Sequence, residues 1–520
     1  MSSPNLKSYF FDSHLHLFNL SHPGFIMFLS RILFKSKLSV DDVLKVKLFK
    51  IIVNILGIAL ISIIFLLLIG SLFAIKLKSK YFSIYGVDFD LFFYPLIILI
   101  SIIGVGVLFA NKKKIEKINN DIKNILNTLY YIENDVANQL LLLERDFVSL
   151  DSKFTKSDYI NGKYDDYLNE NNIEEAKNII EKERVEYSNR KPLINIDNTD
   201  ERIEKVILTP LIMDFGYKKT TSDKIHYGVS PSKPMTEQII DLYFGIHRYM
   251  SKSPYKIFKV YPFMGITPNN YDIKDIKSML NYYFEKYDRN KNLFKIFEEK
   301  FEDRFNKEII SLDLEKCNES IHFKSLKDYF FAGIKLYPSL GCDLSPKDSK
   351  EKEKIKFIYK FCKKNKIPIT IHFVTEGFGA AENVEKLTKP DKINYILNKY
   401  RGIYFNLAHF GLTEENGKYK ETEWNVKIKK AISKKNKIYT DISCKPYDVK
   451  NKGLDEKIDK AIDQNPLLKQ RTLFGSDIPV VLLGVDSYKT YLEKFIQLSN
   501  KKPNYKKFYR KNAYNFLFGK

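Results

Sequence analysis

The stretch FFDSHLHLF, residues 10–18, places two histidines one residue apart in a largely apolar run. Side chains of a β-strand alternate between its two faces, so His14 and His16 point the same way and can reach one metal ion. Single polar residues also end short apolar runs late in the chain, at Lys335, His372, His409 and Asp477. The sequence therefore predicts a metal site assembled from the ends of several strands.

Short apolar, strand-like runs recur through the chain and alternate with amphipathic, Lys/Glu-rich helical stretches such as 352–364. Eight strands alternating with helices predict an α/β protein, a (β/α)8 TIM barrel, whose site lies at the carboxyl ends of the strands. The eight runs lie around His14 and at 205–210, 257–263, 333–337, 367–372, 403–409, 437–442 and 471–477.

Composition restricts the partners and the compartment. The 520 residues carry a net charge of +22, but the lysines are spread over the whole length and form no basic run interleaved with aromatic residues. We therefore expect no nucleic-acid partner and consider anionic lipid headgroups the better match for this charge. The four cysteines have no C-x-x-C spacing, which argues against a disulfide framework or a zinc knuckle and favours a reducing, cytoplasmic setting.

Two uncharged apolar runs, 51–75 and 91–110, are long enough to cross a bilayer as helices. They predict a two-span transmembrane hairpin within residues 25–111, and the alternative is a pair of buried core helices. The outer flanks carry more Lys and Arg than the connection between the runs, so both flanks are predicted to face the cytoplasm. An even number of crossings also keeps His14 and Asp477 on one side of the membrane.

Residues 112–200 are predicted to be a helix followed by a polar linker. Apolar residues recur in heptad spacing over 115–136, which indicates either a coiled-coil homodimer contact or a helix packed on its own enzyme domain. Residues 150–200 are rich in Asn, Asp, Glu, Lys and Tyr. The predicted organisation is thus a first barrel strand in 1–24, the hairpin in 25–111, this connection, and the remainder of the barrel in 201–520.

The ordered set of polar residues resembles the amidohydrolase superfamily, in particular its amidohydrolase-related (type 2) branch of metal-dependent hydrolases. The resemblance covers roughly residues 8–24 and 200–520, and the ending NAYNFLFG, residues 512–519, is similar to the final helix of that branch. It implies a divalent cofactor, with zinc expected and one or two ions per chain. By resemblance, the first ion is held by His14, His16, His372 and Asp477.

The resemblance also implies roles for the other polar residues. Asp477 would be both a ligand and the general base for a water. His409 would bind a second metal or orient the substrate or water. Lys335 would be a carboxylated lysine that bridges two ions, or an ammonium that binds a substrate carboxylate or phosphate. Several further residues lie just past strand ends and are candidates for the substrate pocket: Tyr337, Cys342, Glu376, Asp441 and Cys444.

These features predict a membrane-anchored, cytoplasm-facing hydrolase that uses metal-activated water to cleave a C–O or C–N bond of a small molecule, such as a lactone, ester or amide. One alternative within the same resemblance is a metal-dependent non-oxidative decarboxylase or hydratase. An alternative of another class is a non-catalytic, membrane-tethered scaffold or sensor that dimerises through the heptad helix.

Overall fold

The computed structural model describes residues 5–19, 22, 124, 128, 130–147, 203–215, 235–253, 255–306, 329–374, 384–415, 418–433, 436–444, 454–485 and 487–519. All of these residues except Asn124 belong to one compact unit, which the chain segments 1–29 and 127–520 form. The predicted spans at 51–75 and 91–110 and the linker at 150–200 lie outside the described residues. Within the described part of the chain, no helix combines the length and the apolar character needed to cross a membrane.

Two parallel sheets form the centre of this unit. The first has three strands in the order β1-β2-β3: β1 (Tyr9–Leu15), β2 (Lys205–Pro210) and β3 (Phe258–Val260). The second has six strands in the order β11-β10-β7-β6-β5-β4: β4 (Phe263–Gly265), β5 (Gly333–Leu336), β6 (Ile369–Ile371), β7 (Tyr404–Leu407), β10 (Lys437–Asp441) and β11 (Thr472–Leu473). A separate antiparallel hairpin consists of β8 (Leu412–Glu415) and β9 (Lys418–Glu421).

Each of the eight predicted runs contains a strand, but the run at 257–263 is divided in two. β3 ends at Val260 and β4 begins at Phe263, with Tyr261 and Pro262 between them. Proline has no N–H group to donate to a sheet, so a parallel ladder is readily interrupted there. The expectation of one continuous strand over this run is therefore corrected to two short strands, one in each sheet.

Backbone contacts connect the two sheets on both sides. On one side, Leu211 forms a parallel bridge with Phe263, and the Ile212 N–H donates to the Phe263 carbonyl (3.1 Å). On the other side, the Ser13 N–H donates to the Phe474 carbonyl (3.0 Å). The prediction of an α/β fold with parallel strands is confirmed, and a fully closed eight-stranded barrel stays a prediction.

Helices follow most strands and bury one face on the sheets. The predicted helix at 352–364 is confirmed within α5, where Ile355, Ile358, Tyr359 and Cys362 are buried at helical spacing. The helices are α1 (Val136–Phe147), α2 (Met235–Lys252), α3 (Ile273–Tyr283), α4 (Leu293–Asn306), α5 (Ser349–Asn365), α6 (Val384–Leu387), α7 (Asp391–Lys399), α8 (Glu423–Ala431), α9 (Leu454–Gln464), α10 (Leu468–Arg471), α11 (Tyr488–Lys501) and α12 (Lys511–Leu517).

The described end of the predicted heptad helix packs within its own chain. Ile132 and Val136 are buried, and α1 lies so close to α2 that a Cβ atom added to Gly245 would be 2.4 Å from Val136 Cβ. For these two positions the structure favours packing on the enzyme domain. Most of residues 115–129 lie outside the described part, so the homodimer contact stays a prediction.

Candidate metal centre

His14 lies in strand β1 and His16 directly follows its last residue, Leu15, and the two buried side chains face the same side, as their alternate spacing predicts. Asp477, which follows β11, faces the same two rings. Its Oδ1 atom lies 3.5 Å from His14 Nε2 and 3.3 Å from His16 Nε2. Three potential metal ligands from opposite ends of the chain therefore converge at one point.

Backbone hydrogen bonds fix the segment of Asp477 against β1. The Asp477 N–H donates to the His14 carbonyl (2.7 Å), and the His16 N–H donates to the Ile478 carbonyl (2.7 Å). Asp477 itself adopts a φ of 60°, in the left-handed region that is costly for a residue with a side chain. Surrounding contacts hold this conformation in place, which is a frequent property of functional positions.

The Nδ1 atoms of His14 and His16, which point away from Asp477, each have a hydrogen-bond partner in the protein. His16 Nδ1 donates to the Leu211 carbonyl (2.8 Å), and His14 Nδ1 lies 2.9 Å from Asp441 Oδ2. Such bonds fix the tautomer and leave the Nε2 lone pair for an ion. His14 Nε2 is buried and has no hydrogen-bond partner among the described residues, as expected for a nitrogen that a metal ion would satisfy.

Asp441 was expected only to line the pocket, but its carboxylate accepts hydrogen bonds from several residues around the histidines. Its Oδ2 atom accepts from Asn406 Nδ2 (2.7 Å) as well as His14, and its Oδ1 atom accepts from the His409 N–H (3.0 Å) and the Ser443 hydroxyl. Burial alone would raise the pKa of Asp441. The charges of His14 and His409 and these hydrogen bonds outweigh burial and hold that pKa well below its usual range.

His409 and His372 form a pair on the other side of Asp477. His409 Nε2 lies 3.0 Å from His372 Nδ1, and His409 Nδ1 lies 3.0 Å from Ser443 Oγ. One consistent assignment has His409 Nδ1 donating to Ser443, whose hydroxyl donates to Asp441, and His372 Nδ1 donating to His409 Nε2. Both nitrogens of His409 then have partners inside the protein, which fits its expected orienting role better than a role as ligand of a second ion.

The protonation states in this cluster suit a cation. Burial lowers the pKa of His409 to about 3 and lowers the pKa of His16. Burial would raise the pKa of Asp477, but its hydrogen bond to His16 and the charges of the surrounding histidines hold that pKa well below the usual value. At neutral pH the imidazoles of His16 and His409 are thus neutral and the carboxylates of Asp441 and Asp477 are ionised, the forms that bind divalent ions.

Among the described residues, two groups of three side chains have donor atoms close enough to hold an ion: His14, His16 and Asp477, or His14, His409 and Asp441. In the second group His14 Nδ1 donates to Asp441 and so has no lone pair for an ion, and both Asp441 oxygens already accept further hydrogen bonds. The first group keeps both Nε2 atoms and a carboxylate available. These residues fit a zinc-like divalent ion with at least one coordination position left for water or substrate.

The remaining predicted residues have different surroundings. The Tyr337 ring lies against the His372 ring, with centroids 4.2 Å apart, so Tyr337 does border the cluster. Lys335 is 1% exposed, and its Nζ atom lies 5.1 Å from the Tyr337 ring centroid. Cys342 is buried in the turn after β5, where burial and nearby carboxylates raise the pKa of its thiol. Cys444 is partly exposed beside Ser443, and Glu376 lies outside the described residues.

Sequence reasoning missed several supporting residues. Asp12 accepts hydrogen bonds from the His14 N–H (3.3 Å), the Ser476 N–H (2.9 Å) and the Tyr488 hydroxyl (2.9 Å), and burial raises its pKa to about 6. Asp12 has the same alternate spacing as the two histidines, and Ser443 has this spacing relative to Asp441. That spacing was the available signal for both.

Comparison with known proteins finds a family match for the part of the chain that contains strands β5 to β11. Residues 313–519 match the family model described as Amidohydrolase. No curated protein sequence matches this chain.

Two solved structures are similar to this chain, both with a low TM-score. One is a "probable 2-pyrone-4,6-dicarboxylic acid hydrolase" of Acinetobacter baumannii with citric acid bound, with 11% identity and a TM-score of 0.33, covering 61% of this chain and 84% of that one. The other is a dihydroorotase of Campylobacter jejuni, with 12% identity and a TM-score of 0.30, covering 62% of this chain and 76% of that one.

The matched range includes His372, His409, Asp441 and Asp477, all of which were predicted to be functional. His14 and His16 precede the matched range and reach the same cluster through β1. The match covers residues 313–519, which is less than half of the chain, so the similarity to the Amidohydrolase family is shown for this part of the chain.

Proposed function

We propose that this protein is a metal-dependent hydrolase of the amidohydrolase type that cleaves a C–O or C–N bond of a small molecule, such as a lactone, ester or amide. The observation that carries the proposal is the convergence of His14 Nε2, His16 Nε2 and the Asp477 carboxylate, with the outer nitrogens of both histidines bonded elsewhere. The amidohydrolase match over residues 313–519 supports it independently.

In this proposal His14, His16 and Asp477 hold one divalent ion, with His372 as the further ligand that the resemblance implies. The bound ion supplies acidification of a water molecule and polarisation of the substrate carbonyl. Asp441 orients His14, and the Leu211 carbonyl orients His16. Such outer contacts typically change metal affinity or activity by about 10- to 100-fold when they are removed.

Asp477 is the base. Its Oδ1 atom faces His14 and His16, and its Oδ2 atom lies 3.9 Å from His409 Nδ1. Asp477 accepts a proton from water as the water oxygen bonds to the substrate carbonyl carbon. It then returns that proton to the oxygen or nitrogen that leaves, so that the C–O or C–N bond breaks without any other reactant. His409, held by Ser443 and His372, orients the reacting groups.

A decarboxylase or hydratase of the same superfamily is the second candidate. The observation that favours it is the buried ammonium of Lys335, which suits an acidic substrate. Release of carbon dioxide from unsaturated or aromatic acids, measured beside hydrolysis of esters and lactones, distinguishes the two candidates. The convergence of His14, His16 and Asp477 argues against the non-catalytic scaffold.

Membrane anchoring is proposed on the sequence alone. The uncharged runs 51–75 and 91–110 and their basic outer flanks support a two-span anchor with the enzyme on the cytoplasmic side. A homodimer through 115–136 has less support, because Ile132 and Val136 are buried against their own chain.

The test compares the full-length, detergent-purified wild type with a His14→Ala/His16→Ala variant on a panel of chromogenic esters, lactones and anilides. We expect the double variant to lose at least about 100-fold in kcat/KM, because two of the three proposed nitrogen ligands are removed. His247→Ala is the matched control, because His247 lies on α2 and belongs to neither candidate ligand group. Equal hydrolysis by the wild type and the double variant contradicts the proposal.

A further inference from the structure

Three consecutive residues shortly after β7 adopt the left-handed backbone conformation: His409, Phe410 and Gly411, with φ of 69°, 54° and 63°. This conformation is costly for histidine and phenylalanine, because the Cβ atom of an L-residue crowds its own backbone there. Strained residues of this kind persist only where surrounding contacts hold them. We call this segment the 409–411 turn, and the contacts that hold it lie mainly on one helix.

Two side chains at the start of α8 bind the carbonyls of this turn. Asn425 Nδ2 donates to the Phe410 carbonyl (2.8 Å), and the Thr422 hydroxyl donates to the Gly411 carbonyl. Thr422 is also the N-cap of α8, since its Oγ1 atom accepts a hydrogen bond from the Asn425 N–H (3.4 Å). The same two residues therefore begin the helix and hold the turn.

The turn lies directly against the first residues of α8. A Cβ atom at Gly411 would be 2.5 Å from the Asn425 backbone nitrogen and 2.8 Å from Trp424 Cβ, so only glycine fits at this position. Phe410 and Asn425 are each 1% exposed. Their hydrogen bond is thus shielded from bulk water, and removal of the Asn425 amide would leave the Phe410 carbonyl without the donor that it has in the structure.

The backbone of the turn determines where the His409 imidazole points. The Nδ1 atom of His409 lies 3.0 Å from Ser443 Oγ and 3.9 Å from Asp477 Oδ2. Its Nε2 atom lies 3.0 Å from His372 Nδ1. A rotation about φ moves a side chain as a whole, so relaxation of the turn toward negative φ would take the imidazole away from these three groups.

We propose that Asn425 is a positioning residue that holds His409 in its orienting place through the 409–411 turn, with the Thr422 hydroxyl as a second contact. Asn425 belongs to neither candidate ligand group and acts on the site through the backbone of the turn. The inference rests on the proposed function for the role of His409, and it adds that the start of α8 sets this role.

The variant Asn425→Leu removes the donor at nearly constant side-chain volume. Asn425 Oδ1 has no hydrogen-bond partner among the described residues, so the substitution deletes one side-chain hydrogen bond, and leucine is a good helix former. Asn465→Leu is the matched control, because Asn465 Nδ2 donates to the carbonyls of Lys429 and Ile432 (both 2.9 Å) at the carboxyl end of the same helix. The two variants thus loosen opposite ends of α8, and only one of these ends contacts the turn.

The first measurement is steady-state hydrolysis by the full-length protein in detergent, together with its metal content. We expect kcat of Asn425→Leu to fall at least about ten-fold while KM changes less than about two-fold, because a misplaced group affects the reacting geometry more than binding. Metal content should stay that of the wild type, and Asn465→Leu and Thr422→Ser, which keeps the hydroxyl, should retain kcat. In a His409→Ala background, Asn425→Leu should lower kcat no further, because it acts through His409.

The second measurement is amide hydrogen exchange, which tests the turn without any hydrolysis. The His409 N–H donates to Asp441 Oδ1 (3.0 Å), and this bond protects it from exchange while the turn is held. Mass spectrometry of peptides that cover residues 403–412 should therefore show faster exchange in Asn425→Leu than in the wild type or in Asn465→Leu.

Three results would overturn the inference: equal kcat losses in Asn425→Leu and Asn465→Leu, a further loss of kcat when Asn425→Leu is added to His409→Ala, or unchanged exchange over residues 403–412 in Asn425→Leu. A failure of the proposed function is distinguishable from these. A wild type that hydrolyses nothing would reject the hydrolase, and the exchange comparison would then decide alone whether Asn425 holds His409.

Discussion

Gly475 shows how little space there is around the metal centre. A Cβ atom at this position would lie 2.5 Å from His14 Cβ and 2.9 Å from Ser443 Cβ, distances that real Cβ atoms do not tolerate. Gly475→Ala should therefore displace His14 and destabilise the protein by about 1–3 kcal/mol. Urea unfolding and metal content measure both effects. Gly484→Ala is the control, because its Cβ would meet nothing closer than a carbonyl oxygen at 3.8 Å, and equal effects of the two substitutions would contradict the account.

The buried side chain of Lys335 is expected to make the free energy of unfolding depend on pH. Burial lowers its pKa from 10.5 to about 8, so between these values the unfolded chain binds more protons than the folded one. The free energy of unfolding should therefore rise as the pH increases from about 8 to 10.5. Below pH 8, the buried charge of Lys335 lowers the free energy of unfolding by its full amount, about 3 kcal/mol. Lys335→Met should be more stable than the wild type at pH 7, and the gain should shrink at pH 10. A gain that stays constant between these pH values in urea unfolding would argue against a buried ammonium.

At the scale of residues, local spacing revealed only part of the site. The alternation of His14 and His16 was readable because strand side chains repeat every second residue. The bond between His14 and Asp441, 427 positions apart, depends on how distant strands are placed, and no local pattern encodes that. The central position of Asp441 was therefore beyond sequence reasoning.

Helix α5 shows how one residue begins an element. The Asp348 side chain accepts a hydrogen bond from the Glu351 N–H (2.9 Å) and so satisfies a donor that the first turn leaves free. Asp348→Ala should destabilise the protein by about 1 kcal/mol, whereas Asp348→Asn should cost little, because asparagine caps as well. Urea unfolding of the two variants measures the difference, and equal losses would show that the cap contributes nothing.

At the scale of elements, most strands and helices follow from sequence pattern. The helix at 352–364 was predicted from its amphipathic pattern and is present within α5. The final helix near 512–519 was implied by the family resemblance and is present as α12. The division of 257–263 into β3 and β4 was not predicted, because the apolar run continues across Pro262. Whether that run stays in one ladder depends on the sheets on either side, which lie far away in the sequence.

In the whole molecule, the end of the chain is held by Arg289. This side chain is buried and donates to the carbonyls of Asn515, Phe516 and Gly519 at the end of α12, and to that of Lys366. The positive guanidinium interacts favourably with the partial negative charge at the carboxyl end of the helix.

Arg289→Met should destabilise the protein by about 3 kcal/mol, because several buried carbonyls lose their donor. Arg248→Met is the matched control, since Arg248 is partly exposed and paired with Asp135, and such surface pairs contribute at most about 1 kcal/mol. Thermal and urea unfolding compare the two. A loss for Arg289→Met no larger than that for Arg248→Met would refute this role.

The two ends of the chain also meet at β1. The Phe11 N–H donates to the Tyr509 carbonyl (2.9 Å), and Arg510 donates to the Lys7 carbonyl (2.8 Å). The first ligands of the site, on β1, are therefore positioned by the last segment of the chain. This is why His14 and His16 join the cluster although they precede the range that matches the amidohydrolase family.

The central claim is that His14, His16 and Asp477 hold a divalent ion. Elemental analysis of the detergent-purified, full-length protein tests it most directly, with wild type and His14→Ala/His16→Ala measured side by side. We predict at least one zinc-like ion per chain in the wild type and its loss in the variant, and a single ion would fit the internal partners of both His409 nitrogens. A wild type that contains no transition metal and takes up neither zinc nor manganese would contradict the account.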